Sequence, residues 1–123
     1  MATHRLPNYL RTYRKHSGLS QSDISFLIGL KDKSELSRCE RNVRQPSLRA
    51  ALACQEVFGT PVSELFAGLN DSATQEARGQ MRKLRTRLQK KALTSTSNHI
   101  AQRLQWISER LVQMPRLITS LVV

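Results

Sequence analysis

Residues 19–42 read LSQSDISFLIGLKDKSELSRCERN, and this short span holds two helix starts and two helix stops. Ser20 is placed to cap a helix, Asp23 three residues on closes a capping box, and Leu19 with Ile24 forms the matching hydrophobic staple. That helix is expected to end near Gly29. GLKDKSEL then reads as a turn into a further helix, with Asp32 as its cap, Glu35 reaching back to it, and Leu36 and Cys39 facing inward. Asn42 suits the left-handed stop at its end.

The flanks extend the same pattern. Upstream, a helix is expected over Pro7 to His16, with Pro7 early in its first turn, Tyr9, Leu10 and Tyr13 on its inner face and Gly18 as its stop. Downstream, Pro46 and Ser47 open a fourth helix whose Leu48, Ala51, Leu52 and Phe58 are expected to face a core. Gly59, Thr60 and Pro61 end it and cap a short fifth helix to Phe66. Apolar residues recur at three and four rather than alternating, so the whole chain reads as helix, without a sheet. A helix, a tight turn and a second helix, braced on both sides, can push one helix into a major groove about as wide as itself.

The 123 residues leave room for one ordinary domain and a helical appendage. Lys and Arg number 20 against 9 Asp and Glu, a formal charge of +11, which calls for a polyanionic partner such as nucleic acid or an acidic membrane. The opening MATHRLPNYL lacks a secretory pattern and the apolar stretch 117–123 is too short to span a bilayer, so a cytoplasmic, nucleoid-associated protein without a membrane partner is expected. Cys39 and Cys54 fall within helices and read as buried reduced thiols. His4, His16 and His99 lack metal-ligand spacing, and neither a Gly-rich phosphate loop nor paired catalytic carboxylates occur, so no metal, cofactor or catalysis is expected.

From Asn70, Asp71 and Ser72, which read as a polar linker, the composition shifts. Residues 70–123 hold ten Lys and Arg against three acids, net +7, whereas residues 1–69 hold ten against six, net +4. A boundary is therefore placed between 1–69 and 70–123. Ala77, Met81, Leu84 and Leu88 keep one helical face, and Ile100, Leu104, Ile107, Leu111 and Met114 keep another with strict four-three spacing. The two stripes are out of heptad phase, and residues 94–98 supply turn and cap chemistry between them, so a helical hairpin is expected. The basic run Arg82, Lys83, Arg85, Arg87, Lys90 and Lys91 reads either as a track for DNA phosphates or as a solvated face. The four-three stripe reads as a dimer seam or as a face packed on its own domain, with Trp106 beside it and Pro115 ending the helix.

The stretches LRTYRKHSGLSQSDISFLIGL, LSRCERN, RQPSLRAAL and TPVSELF resemble the phage repressor and Cro type (XRE-like) of helix-turn-helix family, over residues 5–66. The resemblance implies an all-α chain, with a five-helix repressor/Cro-like domain followed here by the C-terminal hairpin. It also implies an ion pair between Arg14 and Glu40 that ties the recognition helix to its scaffold. Base readout would fall to Lys33, Ser34, Glu35 and Arg38, with Lys33 or Arg38 donating to guanine and Glu35 accepting from cytosine. Phosphate contacts would fall to Gln21, Lys31, Ser37, Arg41, Asn42 and Arg44. Two departures stand out: Gly29 to Leu36 is one residue longer than usual, and Asn42 stands where Gly commonly ends the third helix.

The expected function is a dimeric transcriptional repressor that binds duplex DNA, with Ile100, Leu104, Ile107, Leu111 and Met114 at the dimer contact. Two other readings stay open. One is an antitoxin-type module whose tail captures a protein partner while the front half controls its own operon, and the other is an architectural or RNA-binding protein that uses the basic tail.

Overall fold

The computed structural model describes residues 6–95 and 97–113, and every regular element among them is an α-helix. In chain order these are α1 (Leu10–Ser17), α2 (Gln21–Ile28), α3 (Lys33–Glu40), α4 (Leu48–Phe58), α5 (Val62–Leu65), α6 (Ala67–Ala92) and α7 (Asn98–Val112). The chain divides into two compact units, Met1–Ser72 and Ala73–Val123.

The first unit closes around one core, to which α1 gives Leu10, α2 Ile24 and Ile28, α3 Leu36 and Cys39, α4 Cys54 and α5 Leu65. Leu10, Ile24, Leu36 and Leu65 are at most 1% exposed, and each such side chain contributes roughly 1.5–3 kcal/mol of burial free energy. Tyr13 and Phe58 add a tilted aromatic contact between α1 and α4, with ring centroids 6.0 Å apart. Gly18, Gly29 and Gly59 end three of the helices in the left-handed conformation.

Helix α1 begins at Leu10, three residues later than the sequence pattern predicts, and Pro7 lies outside it. The reason is a competing use for the preceding backbone. The carbonyls of Leu6 and Pro7 accept from the N–H groups of Gly68 (3.0 Å) and Leu69 (3.2 Å), and Tyr9 N–H donates to Leu65 O at 2.6 Å. The segment 6–9 thus satisfies donors in the first turn of α6, which would otherwise lack partners. A Cβ at Gly68 would sit 2.6 Å from Leu6 O and 2.7 Å from Pro7 Cα, so only glycine admits this approach.

Helix α4 also departs from expectation. Leu48 and Leu52 are 74% and 50% exposed, while Ala50, Ala51 and Cys54 form the buried face. Small side chains at the contact let α4 lie close to its neighbours, and a leucine pair there would hold it away. Asn70, Asp71 and Ser72 are helical rather than a linker, because α6 runs from Ala67 to Ala92 without Pro and the Asn70 N–H already closes on Phe66 O at 2.8 Å.

In the second unit the end of α6 and all of α7 form the hairpin, with a turn at Leu93 and Thr94 directly after α6. Ser97 caps α7 by accepting from His99 N–H. The Arg78 guanidinium donates to the carbonyls of Leu111 (2.5 Å) and Arg110 (3.4 Å), so a cation closes the negative end of α7. Leu88 is buried, but α7 has no fully buried residue: Ile100, Leu104, Ile107 and Leu111 are half-buried. Met114 and Pro115 lie outside the described residues.

Candidate nucleic-acid interface

Helices α2 and α3 and the turn between them are held by polar contacts that aim one face of α3 outward. At the start of α2, Ser20 Oγ accepts from Asp23 N–H and the Asp23 carboxylate accepts from Ser20 N–H, each at 3.0 Å. These bonds hold the Asp23 carboxyl below its ordinary range, the Ser20 backbone donor being the larger cause and its side chain the second. Gly29, at φ 77°, turns the chain out of α2.

Ser25, buried within α2, has its hydroxyl 2.8 Å from Gln21 O and 3.2 Å from Asp32 O, and so pins the cap of α3 to the body of α2. Asp32 caps α3 by accepting from Glu35 N–H at 3.1 Å. The Glu35 carboxylate does not return to Asp32, as the sequence pattern suggests, but accepts from the Lys31 backbone N–H at 3.3 Å.

The far end of α3 is closed with equal care. Asn42 takes φ 60°, Val43 N–H donates to Arg38 O and Asn42 N–H to Cys39 O, which together make a Schellman stop. Asn8 spans the α1 and α3 ends: its Nδ2 donates to Cys39 O at 3.0 Å and its Oδ1 accepts from Leu10 N–H at 3.1 Å.

Behind α3 lies a carboxylate hub. Arg14 donates to both oxygens of Glu40, Nε to Oε2 at 2.5 Å and Nη2 to Oε1 at 3.2 Å, and Gln21 Nε2 donates to Oε1 at 3.0 Å. The Glu40 side chain is 3% exposed and that of Arg14 14%, so the pair is shielded from water and worth more than a surface ion pair. The Glu40 hydrogen bond raises the Arg14 pKa further, against the opposing effect of burial.

Lys33 and Ser34 are exposed in the first turn of α3 and Arg38 is exposed one turn on. Glu35 is half-buried and turned back to Lys31, Ser37 is half-buried with its hydroxyl accepting from Arg41 Nε at 3.3 Å, and Lys31, Arg41, Asn42 and Arg44 are exposed. Gln21 uses one donor of its side-chain amide on Glu40, and the backbone N–H groups at the start of α2 lie beside it. All three acids of residues 31–44 (Asp32, Glu35 and Glu40) are engaged in internal hydrogen bonds, whereas its five cations stand exposed. Asn8 and Ser25, which fix both ends of α3, escaped the sequence reading. Asn8 two residues ahead of a helix start was the one available hint, since short amides favour that position.

Residues 10–65 match the model of the helix-turn-helix family. That segment is a Cro/XRE-like helix-turn-helix, the domain of DNA-binding transcriptional regulators. Neither the curated proteins nor the solved structures gave a match. None of the described helices is long and apolar enough to cross a membrane.

Proposed function

We propose that the protein is a dimeric repressor of transcription that reads two-fold related duplex sites by laying α3 in the major groove. The observation that carries this reading is the outward face of α3, where Lys33, Ser34 and Arg38 stand exposed while every neighbouring acid is held internally. Lys33 and Arg38 donate to base edges, guanine O6 and N7 being the best acceptors, at roughly 1–3 kcal/mol of discrimination for each good contact. Glu35 braces the first turn through the Lys31 N–H and, in the base-reading role expected of it, accepts from cytosine N4. Lys31, Arg41, Asn42 and Arg44, together with Ser37 and the first N–H groups of α2 at Gln21, hold phosphates and set register.

Dimerisation is assigned to Ile100, Leu104, Ile107 and Leu111, with Met114 continuing the stripe. A two-helix hairpin that leaves this four-three seam half-buried has apolar surface to offer a second copy. Two copies place two α3 helices on half-sites about one DNA turn, roughly 34 Å, apart.

The test is selection from a randomised duplex library followed by footprinting with the full chain. A short two-fold repeat is expected. Equal binding to unrelated duplexes at physiological salt would overturn the reading in favour of an architectural role, and a stable complex with a different protein through the tail would favour the antitoxin type. Arg38→Ala is expected to relax base preference at one position of each half-site, whereas Arg44→Ala weakens all duplexes alike. Identical behaviour of the two variants would contradict this division of roles.

A further inference from the structure

Helix α6 carries a row of exposed cations at Lys83, Arg87 and Lys90, spaced four and three residues apart along one flank of the stripe Met81, Leu84 and Leu88. We infer that this row is a second nucleic-acid contact, which takes the phosphate backbone of duplex DNA without reading its bases. The inference rests on the DNA-binding reading of the first unit only for the identity of the polyanion.

Three observations carry it. First, the charge is uncompensated: no Asp or Glu occurs between Glu76 and Glu109, and Lys83, Arg87 and Lys90 form no ion pair or side-chain hydrogen bond among the described residues. A basic face that serves only solubility is usually laced with acids at i±4. Here Lys83 with Arg87, and Arg87 with Lys91, instead place like charges four apart, which weakens an isolated helix. An external anion relieves that repulsion.

Second, the length fits. Seven residues at 1.5 Å each put Lys83 and Lys90 about 10 Å apart along the helix, a reach equal to three base-pair rises of about 3.4 Å along the duplex axis. Third, the competing surface is excluded by packing. A membrane-binding basic helix needs an apolar face open beside its cations, but in α6 Leu88, the apolar residue set among Arg87, Lys90 and Lys91, is 1% exposed and has no surface to give a bilayer. Arg78, the one cation of this helix tied to backbone carbonyls, already closes the end of α7 and is not part of the row.

The experiment compares the full-length protein with a Lys83→Gln, Arg87→Gln, Lys90→Gln triple variant, which keeps side-chain length and helix propensity. Binding to a random-sequence duplex of about 30 base pairs is followed by fluorescence anisotropy between about 50 and 200 mM NaCl. Three lost phosphate contacts lower the slope of log K against log salt by about 2.7, so the wild type loses roughly 40-fold more affinity than the variant across that range. An unchanged slope overturns the inference, as does a loss confined to phosphatidylserine vesicles. Should the variant lose its helical circular dichroism, acetylation of the wild type decides instead: duplex must protect Lys83 and Lys90, and equal labelling with and without duplex overturns the inference. An Arg41→Gln, Arg44→Gln variant separates this contact from the first. If it keeps the full slope while the triple variant does not, the row stands and the helix-turn-helix reading falls. The reverse result removes the row alone.

Discussion

Glu40 gathers three helices onto one carboxylate, through Arg14 of α1, Gln21 of α2 and its own place at the end of α3. Replacing it by Ala leaves a guanidinium and an amide without an acceptor in a shielded site. A loss of about 3 kcal/mol is expected in urea denaturation, the usual consequence of removing one partner of a buried pair. A loss near zero would show that the hub is dispensable. The cysteines give a second residue-level expectation. Burial pushes the Cys54 thiol up to about 11 and raises Cys39 as well, so the reactive thiolate is scarce at both. Labelling by a disulfide reagent at pH 8 should be slow in the native protein and fast after denaturation; rapid native labelling would contradict the burial. The Arg14–Glu40 pairing could be anticipated from motif resemblance, but the part played by Gln21 could not. Its position at the start of α2 suggests a phosphate contact, and the bond to Glu40 across the fold adds a second role that no local pattern signals. Ser25 and Asn8 were invisible for a related reason: each acts on the backbone carbonyl of a residue that the sequence does not place beside it.

Helix caps were the most legible features, because Ser20, Asp23, Asp32, Ser47 and the stop glycines act within four residues of themselves. Helix faces were less so. Leucine at 48 and 52 has the right hydrophobicity and spacing for a core, yet close approach favours the alanines, and spacing carries no information about separation between helices. The Asp23 cap predicts a pH dependence. Its carboxyl is depressed in the folded state, so its contribution is present above the ordinary Asp value of about 3.9 and is lost as pH falls through the depressed value. Thermal melts of wild type and Asp23→Ala should differ at pH 7 and converge on acidification. A gap that persists at the lowest pH would assign the effect to something other than the charge. Two glycines of α6 supply a further contrast. Gly68→Ala drives a Cβ into the Leu6 and Pro7 backbone and is expected to destabilise by about 2 kcal/mol despite the better helix propensity of alanine. At Gly79 the added Cβ meets nothing within 4 Å beyond the local backbone of its own helix, so Gly79→Ala should stabilise by roughly 0.5–1 kcal/mol.

For the molecule as a whole, charge and apolar surface are divided between two jobs. The first unit buries its own core, whereas α7 keeps a half-covered apolar stripe. Leu104→Asp should therefore halve the mass measured by light scattering while the first unit stays folded, and an unchanged mass would take the dimer contact away from this stripe. The division of labour within the first unit has a last consequence. Lys33, Ser34 and Arg38 make no side-chain hydrogen bond among the described residues, while both ends of α3 are fixed by Ser25, Asp32, Asn8 and Asn42. Exchanging those three exposed side chains should leave stability within about 0.5 kcal/mol, as is usual for unengaged surface positions. The scaffold is thereby insulated from the surface proposed to read DNA, so on that proposal a lineage carrying it can drift to new target sequences one substitution at a time without passing through an unfolded intermediate.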